Sequence, residues 1–300
     1  MRSKQLETIS IIGAGTMGAQ IALLCAAHNY QVWLFSRSEQ TLQRATQGHA
    51  KRLATLQQMT VEEKTALLER IRLTTDLYQA ANQADLLIEN APEDLSLKRE
   101  LFAQFDRLCP AQTILATNSS SLRASAIEDV TRRPERVLNL HFVTPVWDGS
   151  CVELMRGSRT SDETIEQARG FARSLGLIPL LVQKESTGFI FGRIWRAVKK
   201  ESLNVVEEGV ATHEDVDRAW MSLTKMPIGP FGLMDSIGLD VVRDVEMEYY
   251  RLSGNEADLP PRVLLDKIEQ GELGLKTGKG FYSYPQPAFQ NPGWLRGEEE

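Results

Sequence analysis

The chain has 300 residues, 42% of them hydrophobic and 25% charged, with a formal net charge of −6; this is typical of a globular protein with a sizeable core and argues against a general nucleic-acid binder. No apolar run approaches the roughly 20 residues that a membrane span needs. Residues 1–15 show no signal-peptide cleavage pattern, and the three widely spaced cysteines fit a reducing compartment, so we expect a cytoplasmic protein without nucleic-acid or membrane partners.

Strand and helix patterns alternate over the first 182 residues. Short apolar runs predict strands at 8–12, 31–35, 72–74, 86–89, 113–117, 137–142, 151–155 and 177–182. Helices are predicted at 16–28, 39–56, 97–108 and 164–175, with a further helix from Thr60, whose spacing to Glu63 is that of a capping box. The alternation predicts an α/β fold with a doubly wound parallel sheet that is covered on both faces.

The strand signals stop after Gly188, and helical spacing takes over at 189–208, 214–223, 238–252 and 261–269. We therefore place a domain boundary near residue 185. The predicted organisation is a dinucleotide-binding domain over residues 1–185 and an all-helical domain over 186–284. Residues 285–300, rich in proline and then acidic, are expected to form a loose tail.

A glycine motif lies between the first predicted strand and the first predicted helix. It has the spacing G-x-G-x-x-G and consists of Gly13, Gly15, Thr16, Met17 and Gly18 with the intervening alanine. The glycines permit a tight turn, a close backbone approach to a pyrophosphate and close packing of helix and strand. The helix N-terminus offers N–H groups and partial positive charge to the phosphates. The alternative is a glycine-rich turn without a ligand.

The second predicted strand ends without the acidic residue that usually accepts hydrogen bonds from the adenosine ribose of NAD. Ser36 and Arg37 occupy this place. A serine does not repel a phosphate, and an arginine can pair with one through two hydrogen bonds, with Arg44 on the next helix as a second partner. The sequence favours NADP(H) over NAD(H), which stays the alternative, as does a plain surface role for Arg37.

Six segments together resemble the 3-hydroxyacyl-CoA dehydrogenase family, which includes gulonate and carnitine dehydrogenases and lambda-crystallin. The segments are GAGTMG, IENAPEDLSLK, TNSSSL, LHFVTP with the following VEL, MPIGPFGLMDSIGLD and GLKTGKGFY. The resemblance implies a Rossmann-type N-terminal domain, a helical second domain and a homodimer. It also implies reversible hydride transfer between a 3-hydroxyacyl thioester, or a related 3-hydroxy acid, and its 3-keto form.

Two side chains have chemistry that fits this reaction. A neutral imidazole at His141 can take the proton of a substrate hydroxyl, and a carboxylate at Glu153, on the next predicted strand, can hold the tautomer of the ring. The resemblance maps the catalytic His–Glu pair of the family onto these residues and its substrate-contacting serine onto Ser120. The positions that approach the cofactor map onto Glu93, Lys98, Asn118 and Lys276.

The substrate site departs from the family pattern at two positions. Gly192 stands where the motif P-G-F-x-x-N-R has its substrate-holding asparagine, and Thr144 replaces the asparagine of H-F-x-N-P. Arg52 and Lys51 are candidate partners of coenzyme A phosphates or a solvated helix face. The departures keep open a dehydrogenase of a non-CoA polyol, sugar acid or other ketone. A non-catalytic crystallin-like protein is the third alternative, and the intact His141–Glu153 pair argues against it.

Overall fold

The computed structural model describes residues 6–298 except 144, 145 and 147–149. The chain forms two compact units, Met1–Ile190 and Phe191–Glu300. The division falls five residues after the boundary that the sequence predicts, because the turn that follows the last strand belongs with the first unit.

The described residues of the first unit form an eight-stranded sheet and the helices that cover it. The strands are β1 (Thr8–Ile12), β2 (Gln31–Phe35), β3 (Ile71–Thr74), β4 (Leu86–Glu89), β5 (Ile114–Thr117), β6 (Val137–Phe142), β7 (Cys151–Arg156) and β8 (Ile178–Val182). The helices are α1 (Thr16–Ala27), α2 (Glu39–Thr55), α3 (Val61–Glu69), α4 (Leu77–Ala81), α5 (Leu95–Leu108) and α6 (Asp162–Ser174). The predicted capping box at Thr60 and Glu63 is confirmed at the start of α3.

The strand order across the sheet is β3-β2-β1-β4-β5-β6-β7-β8. The neighbours from β3 to β6 pair in parallel, which confirms the doubly wound sheet. The prediction that all strands run parallel is wrong for the last two. β7 pairs with β6 in antiparallel orientation, and β8 pairs with β7 in parallel, so both run opposite to β1–β6. The connections diverge at β1, where the carboxyl ends of β1 and β4 form the crevice in which such sheets bind ligands.

The apolar side chains of the sheet alternate between two cores, which confirms that both faces are covered. Leu86 and Ile88 face the core that includes α1, α2 and α6, whereas Leu87 faces the core that includes α4 and α5. This alternation follows from the two-residue period of a strand. Both sides of the sheet are therefore buried, and ligands have access only at its edges and loops.

The second unit is helical in the part that the structure describes. Its helices are α7 (Phe191–Glu207), α8 (His213–Thr224), α9 (Pro230–Ile237), α10 (Leu239–Ser253) and α11 (Arg262–Glu269). The sequence patterns do not predict α9, whose proline and glycine obscure the helical pattern. No helix among the described residues is long and apolar enough to cross a bilayer.

The tail from residue 285 is not loose over its described part, and that prediction is wrong. The side chains of Phe289 and Trp294 are buried in the core of the second unit. The Tyr282 ring contacts both of them, with centroid distances of 5.0 Å to Phe289 and 6.2 Å to Trp294, and the Phe289 and Trp294 centroids are 6.5 Å apart. Two aromatic side chains in an otherwise polar segment supply enough apolar area to hold it against the unit.

Candidate active site

The loop after β1 shows which glycines the fold requires. Gly13 has a φ of +107°, and a Cβ there would lie 2.7 Å from the backbone oxygen of Asn90. A Cβ on Gly18 would collide with the backbone oxygen of Gly13. Gly15 differs, because a Cβ there would meet nothing within 4 Å. Gly13 and Gly18 are thus needed by the backbone itself, whereas Gly15 faces open space beside the loop.

The N-terminus of α1 is available to an anion. The helix begins at Thr16, its N-cap Gly15 provides no side-chain hydrogen bond, and its first turn holds no acidic residue. Thr16 is exposed, and Met17 anchors the turn by contacting the core below. Free N–H groups and the helix dipole favour negative charge at this position. The turn therefore fits the pyrophosphate of a dinucleotide.

The end of β2 presents a hydroxyl and a cation. The backbone N–H of Ser36 donates to Thr74 at 3.2 Å, and its hydroxyl accepts from the Ser38 N–H at 3.3 Å. Arg37 is exposed and forms no ion pair with any residue that the structure describes. A guanidinium that has no ion pair with the described residues at this strand end is suited to an anionic ligand.

His141 and Glu153 form a direct cross-strand pair. They lie opposite each other in the antiparallel register of β6 and β7, which the sequence did not predict and which explains their spacing of 12 residues. The Nδ1 atom of His141 is 3.0 Å from Oε2 of Glu153. The carboxylate is buried, and its Oε1 accepts a hydrogen bond of 2.8 Å from the Ile190 N–H.

This geometry assigns the tautomer of the imidazole. An ionised carboxylate only accepts hydrogen bonds, so the proton of the neutral ring lies on Nδ1. The Nε2 atom then keeps its lone pair. Since the His141 side chain is 21% exposed, whereas that of Glu153 is 1% exposed, the ring can reach a ligand that its partner cannot. The pair has the arrangement of a general base and its orienting carboxylate.

The loop after β5 is held by Glu93 and Asn118. The carboxylate of Glu93 accepts hydrogen bonds from the Ser119 hydroxyl, from the Ser121 hydroxyl at 2.6 Å and from two backbone N–H groups. Burial opposes ionisation, but these hydrogen bonds and the nearby Lys98 lower the pKa of Glu93 below its ordinary value. Ser120 stays exposed, without a hydrogen bond to a described residue, and its hydroxyl is open to a ligand.

Asn118, directly after β5, connects the ends of β4, β5 and β6 through its side chain. Its side-chain amide donates to the Asn90 side chain at 2.9 Å, and its oxygen accepts from the Phe142 N–H at 2.8 Å. Phe142 follows His141 directly on β6. Asn118 therefore fixes the strand end that carries the imidazole, in addition to the cofactor contact expected for it.

Lys98 is placed differently from the expectation that it approaches the cofactor. The side chain is 1% exposed, and its ammonium lies 2.8 and 2.9 Å from the two carboxylate oxygens of Glu89. It also donates to the Ala91 backbone oxygen at 3.2 Å and lies 3.4 Å from Glu93. These acceptors occupy its three N–H groups, and all of them lie at the end of β4 or in the loop that follows it. Lys98 therefore has a structural role in which it ties α5 to the end of β4.

Two predicted site residues belong to the second unit. Lys276 is paired with Asp240, and this contact lowers the pKa of Asp240. Gly192 lies in the first turn of α7, where a Cβ would meet nothing within 4 Å. The position can therefore hold a larger side chain without backbone strain. Thr144 lies outside the described residues.

A cavity of about 590 Å³ lies between α1 and α2 in the first unit. Gly15 and Thr16 of the glycine loop form one end, and Arg44, His49 and Arg52 line the α2 side. The His49 ring is buried, with its Nε2 atom 2.8 Å from the Ala19 backbone oxygen. Two guanidinium groups on one helix face make the cavity attractive to a phosphate-bearing ligand.

Family models match almost the whole chain. Residues 8–186 match the NAD binding domain of 3-hydroxyacyl-CoA dehydrogenase, and residues 188–284 match the C-terminal domain of the same enzyme. The chain belongs to the 3-hydroxyacyl-CoA dehydrogenase family. It is thus an oxidoreductase with a nicotinamide dinucleotide site, and the glycine loop and the His141–Glu153 pair have the geometry that this chemistry needs.

Relatives within this family share about a third of the sequence. The 3-hydroxyadipyl-CoA dehydrogenase of Escherichia coli K12 is 38% identical over 93% of this chain, which spans 59% of that protein. The 3-hydroxybutyryl-CoA dehydrogenase of Clostridioides difficile is 33% identical over 92% of this chain and 99% of its own. The crystal structure of 3-hydroxybutyryl-CoA dehydrogenase from Escherichia coli K12 has a TM-score of 0.88 and 36% identity, covering 95% of this chain and 61% of that one.

Several residues of the site are not apparent from the sequence. Glu89 and Ser119 hold the loops at the crevice, and Ile190 fixes the second oxygen of Glu153. The segment IENAPEDLSLK contains Glu89 and Lys98 at a spacing of nine, but only the fold shows that the two side chains meet. The Ile190 contact is made by a backbone N–H, which no side-chain pattern can indicate.

Proposed function

We propose that this member of the 3-hydroxyacyl-CoA dehydrogenase family interconverts a 3-hydroxyacyl-CoA thioester and the corresponding 3-ketoacyl-CoA, with NADP(H) as its preferred cofactor. The observation that carries the reaction is the buried Glu153 carboxylate 3.0 Å from Nδ1 of His141. The thioester is favoured because the relatives above are named for 3-hydroxyacyl-CoA substrates.

His141 is the acid and base in this reaction. With Nδ1–H held by Glu153, the Nε2 lone pair takes the proton of the substrate hydroxyl during oxidation. In the reverse direction the imidazolium returns that proton to the carbonyl oxygen, and Glu153 stabilises the charge. The exposed hydroxyl of Ser120 donates to the same substrate oxygen. A nicotinamide held in the dinucleotide site would supply the hydride in one direction and take it up in the other.

The glycine loop and the N-terminus of α1 hold the pyrophosphate, as the space beside Gly15 allows. The 2′-phosphate of NADP(H) is bound at the end of β2. Ser36 leaves this position without a repelling carboxylate, and Arg37 has no competing ion pair among the described residues. Arg44, exposed on α2, supplies a second positive charge.

A double variant tests the cofactor proposal. Ser36→Asp with Arg37→Ala restores the acid and removes the base, so the ratio of kcat/KM for NADPH to that for NADH is expected to fall by about tenfold or more, the equivalent of about 1.4 kcal/mol. Arg107→Ala, at an exposed arginine on α5, is the matched control and leaves the ratio unchanged. A ratio that does not move in the double variant contradicts the proposed role of Ser36 and Arg37.

Arg52 is proposed to bind a phosphate of coenzyme A, because it lines the cavity between α1 and α2. The test compares acetoacetyl-CoA with a truncated acetoacetyl thioester of N-acetylcysteamine, which has no phosphate. Arg52→Ala is expected to raise KM for the full substrate by about 10- to 150-fold, as loss of a charged hydrogen bond implies, and to leave KM for the truncated substrate unchanged. An equal effect on both substrates contradicts the assignment.

We also propose that the protein is a homodimer through its second unit. Phe191 and Ile194 on α7 and Val241 and Val245 on α10 are large apolar side chains with exposures between 41% and 58%. Each pair has helical spacing, which gives each helix an apolar stripe. Sedimentation equilibrium is expected to give the mass of two chains, and a monomer at micromolar concentration would contradict the proposal.

A further inference from the structure

Phe189 has a backbone conformation that is rare for a bulky side chain. Its φ is +53°, and it follows Gly188, whose φ is +74°. The other described non-glycine residues with positive φ are Asn29 and Lys225, both exposed and both at helix C-termini, where this conformation is common. Phe189 is buried and precedes a helix instead. Strain of this kind persists only where the surrounding structure enforces it, and it is concentrated at functional sites.

The strained residue contacts the catalytic pair in two ways. The Phe189 ring stacks on the imidazole of His141, with centroids 4.9 Å apart and planes at 27°. The N–H of the next residue, Ile190, reaches Oε1 of Glu153 at 2.8 Å. One turn therefore limits the tilt of the imidazole and holds the carboxylate oxygen that the imidazole does not use.

We propose that Phe189 is a positioning residue for the His141–Glu153 pair. The left-handed conformation of Phe189 aims the Ile190 N–H at Glu153 while its ring covers one face of His141. The result is one fixed ring plane and one tautomer, with Nε2 directed away from the carboxylate. This inference rests on the proposed function in that His141 is the acid and base.

A purely structural role is the competing explanation, because Phe189 also packs against Met155 and Val182. Phe171 on α6 provides a matched control, since it is equally buried in the same unit and contacts Tyr30 rather than the site. Phe189→Leu and Phe171→Leu remove the same ring from equally buried positions. Phe189→Tyr keeps a flat ring at the site.

Two readouts separate positioning from stability. The first is the side-chain ¹⁵N spectrum of the histidines, of which the chain has four, with His141 assigned by comparison with His141→Ala. The second is kcat and KM with acetoacetyl-CoA. We expect Phe189→Leu to give a mixture of His141 tautomers and a loss of kcat of about tenfold or more at nearly constant KM. Phe171→Leu keeps one tautomer and the wild-type kcat, and Phe189→Tyr lies closer to wild type than Phe189→Leu.

The proposal is overturned if Phe189→Leu keeps a single His141 tautomer and loses no more kcat than Phe171→Leu. If Phe189→Leu does not fold, Phe189→Met, which fills the space with a flexible chain, replaces it with the same expected results. A wild-type protein without turnover counts against the proposed function. The tautomer comparison needs no substrate and decides the role of Phe189 separately.

Discussion

Replacing Glu153 by glutamine tests how the carboxylate controls His141. In the structure one oxygen accepts from the Ile190 N–H at 2.8 Å and the other from Nδ1 of His141 at 3.0 Å. A backbone N–H cannot accept a hydrogen bond, so the amide oxygen of the glutamine must face Ile190. Its NH₂ group then faces the imidazole, which moves the ring proton to Nε2. The histidine can no longer take the proton of the substrate.

The expected loss of kcat equals the rate enhancement that general base catalysis supplies. Positioned proton transfer contributes about 100- to 10,000-fold, or roughly 2.7–5.4 kcal/mol of transition-state stabilisation. We expect Glu153→Gln to lower kcat for oxidation of 3-hydroxybutyryl-CoA within this range while the affinity for the dinucleotide stays constant. Glu100→Gln, at an exposed position on α5, is the control for charge removal. A loss of less than about threefold with an intact fold would refute the tautomer argument.

Three further predictions concern the loop, the buried ion pair and the pH dependence of stability. Gly15→Ala should keep the melting temperature of the wild type and weaken dinucleotide binding. Gly18→Ala should lower the melting temperature, because its Cβ collides with the backbone. The prediction is contradicted if the two variants have the same melting temperature and the same dinucleotide affinity. Lys98→Met leaves the Glu89 carboxylate buried without its ammonium partner and should lower the free energy of unfolding, measured in urea, by about 3–5 kcal/mol. Adding Glu89→Gln to the same chain should restore part of this loss. Burial raises the pKa of Asp217 to about 6 from an unfolded value of about 3.9, so the folded chain binds more protons between these values. The free energy of unfolding is therefore expected to fall by about 2 kcal/mol as the pH rises from 4 to 6. Unfolding curves of Asp217→Asn should lack this fall, and a parallel pH dependence in both proteins refutes it.

Several strand ends were predictable because they are marked by a local change of residue type. β1, β2, β4 and β6 begin and end where the sequence indicates. For β1, β2 and β4 the run stops at a glycine or polar residue, namely Gly13, Ser36 and Asn90. The direction of β7 was not predictable, because a buried apolar run reads the same in parallel and antiparallel pairing. The antiparallel register nevertheless places His141 opposite Glu153.

The site was predictable where a side chain carries its own chemistry and not where its role depends on a distant partner. The imidazole of His141 and the three loop glycines are recognisable by residue type and spacing. The resemblance maps Lys98 onto a position near the cofactor, and only the approach of α5 to β4 shows that the side chain is buried against Glu89. Phe289 and Trp294 likewise lie in a segment that the sequence predicts to be loose, because their burial depends on the core of the helical unit.

The central claim is a working hydroxyacyl-CoA site that uses His141 and prefers NADP(H). Its most direct test is the loss of reduced-nicotinamide absorbance with acetoacetyl-CoA, measured side by side with NADPH and NADH for the wild type and His141→Ala. We predict turnover mainly with NADPH, and its loss in His141→Ala with unchanged NADPH affinity. Wild-type protein that binds NADPH and turns over neither cofactor with acetoacetyl-CoA, or a His141→Ala variant as active as the wild type, would contradict the account.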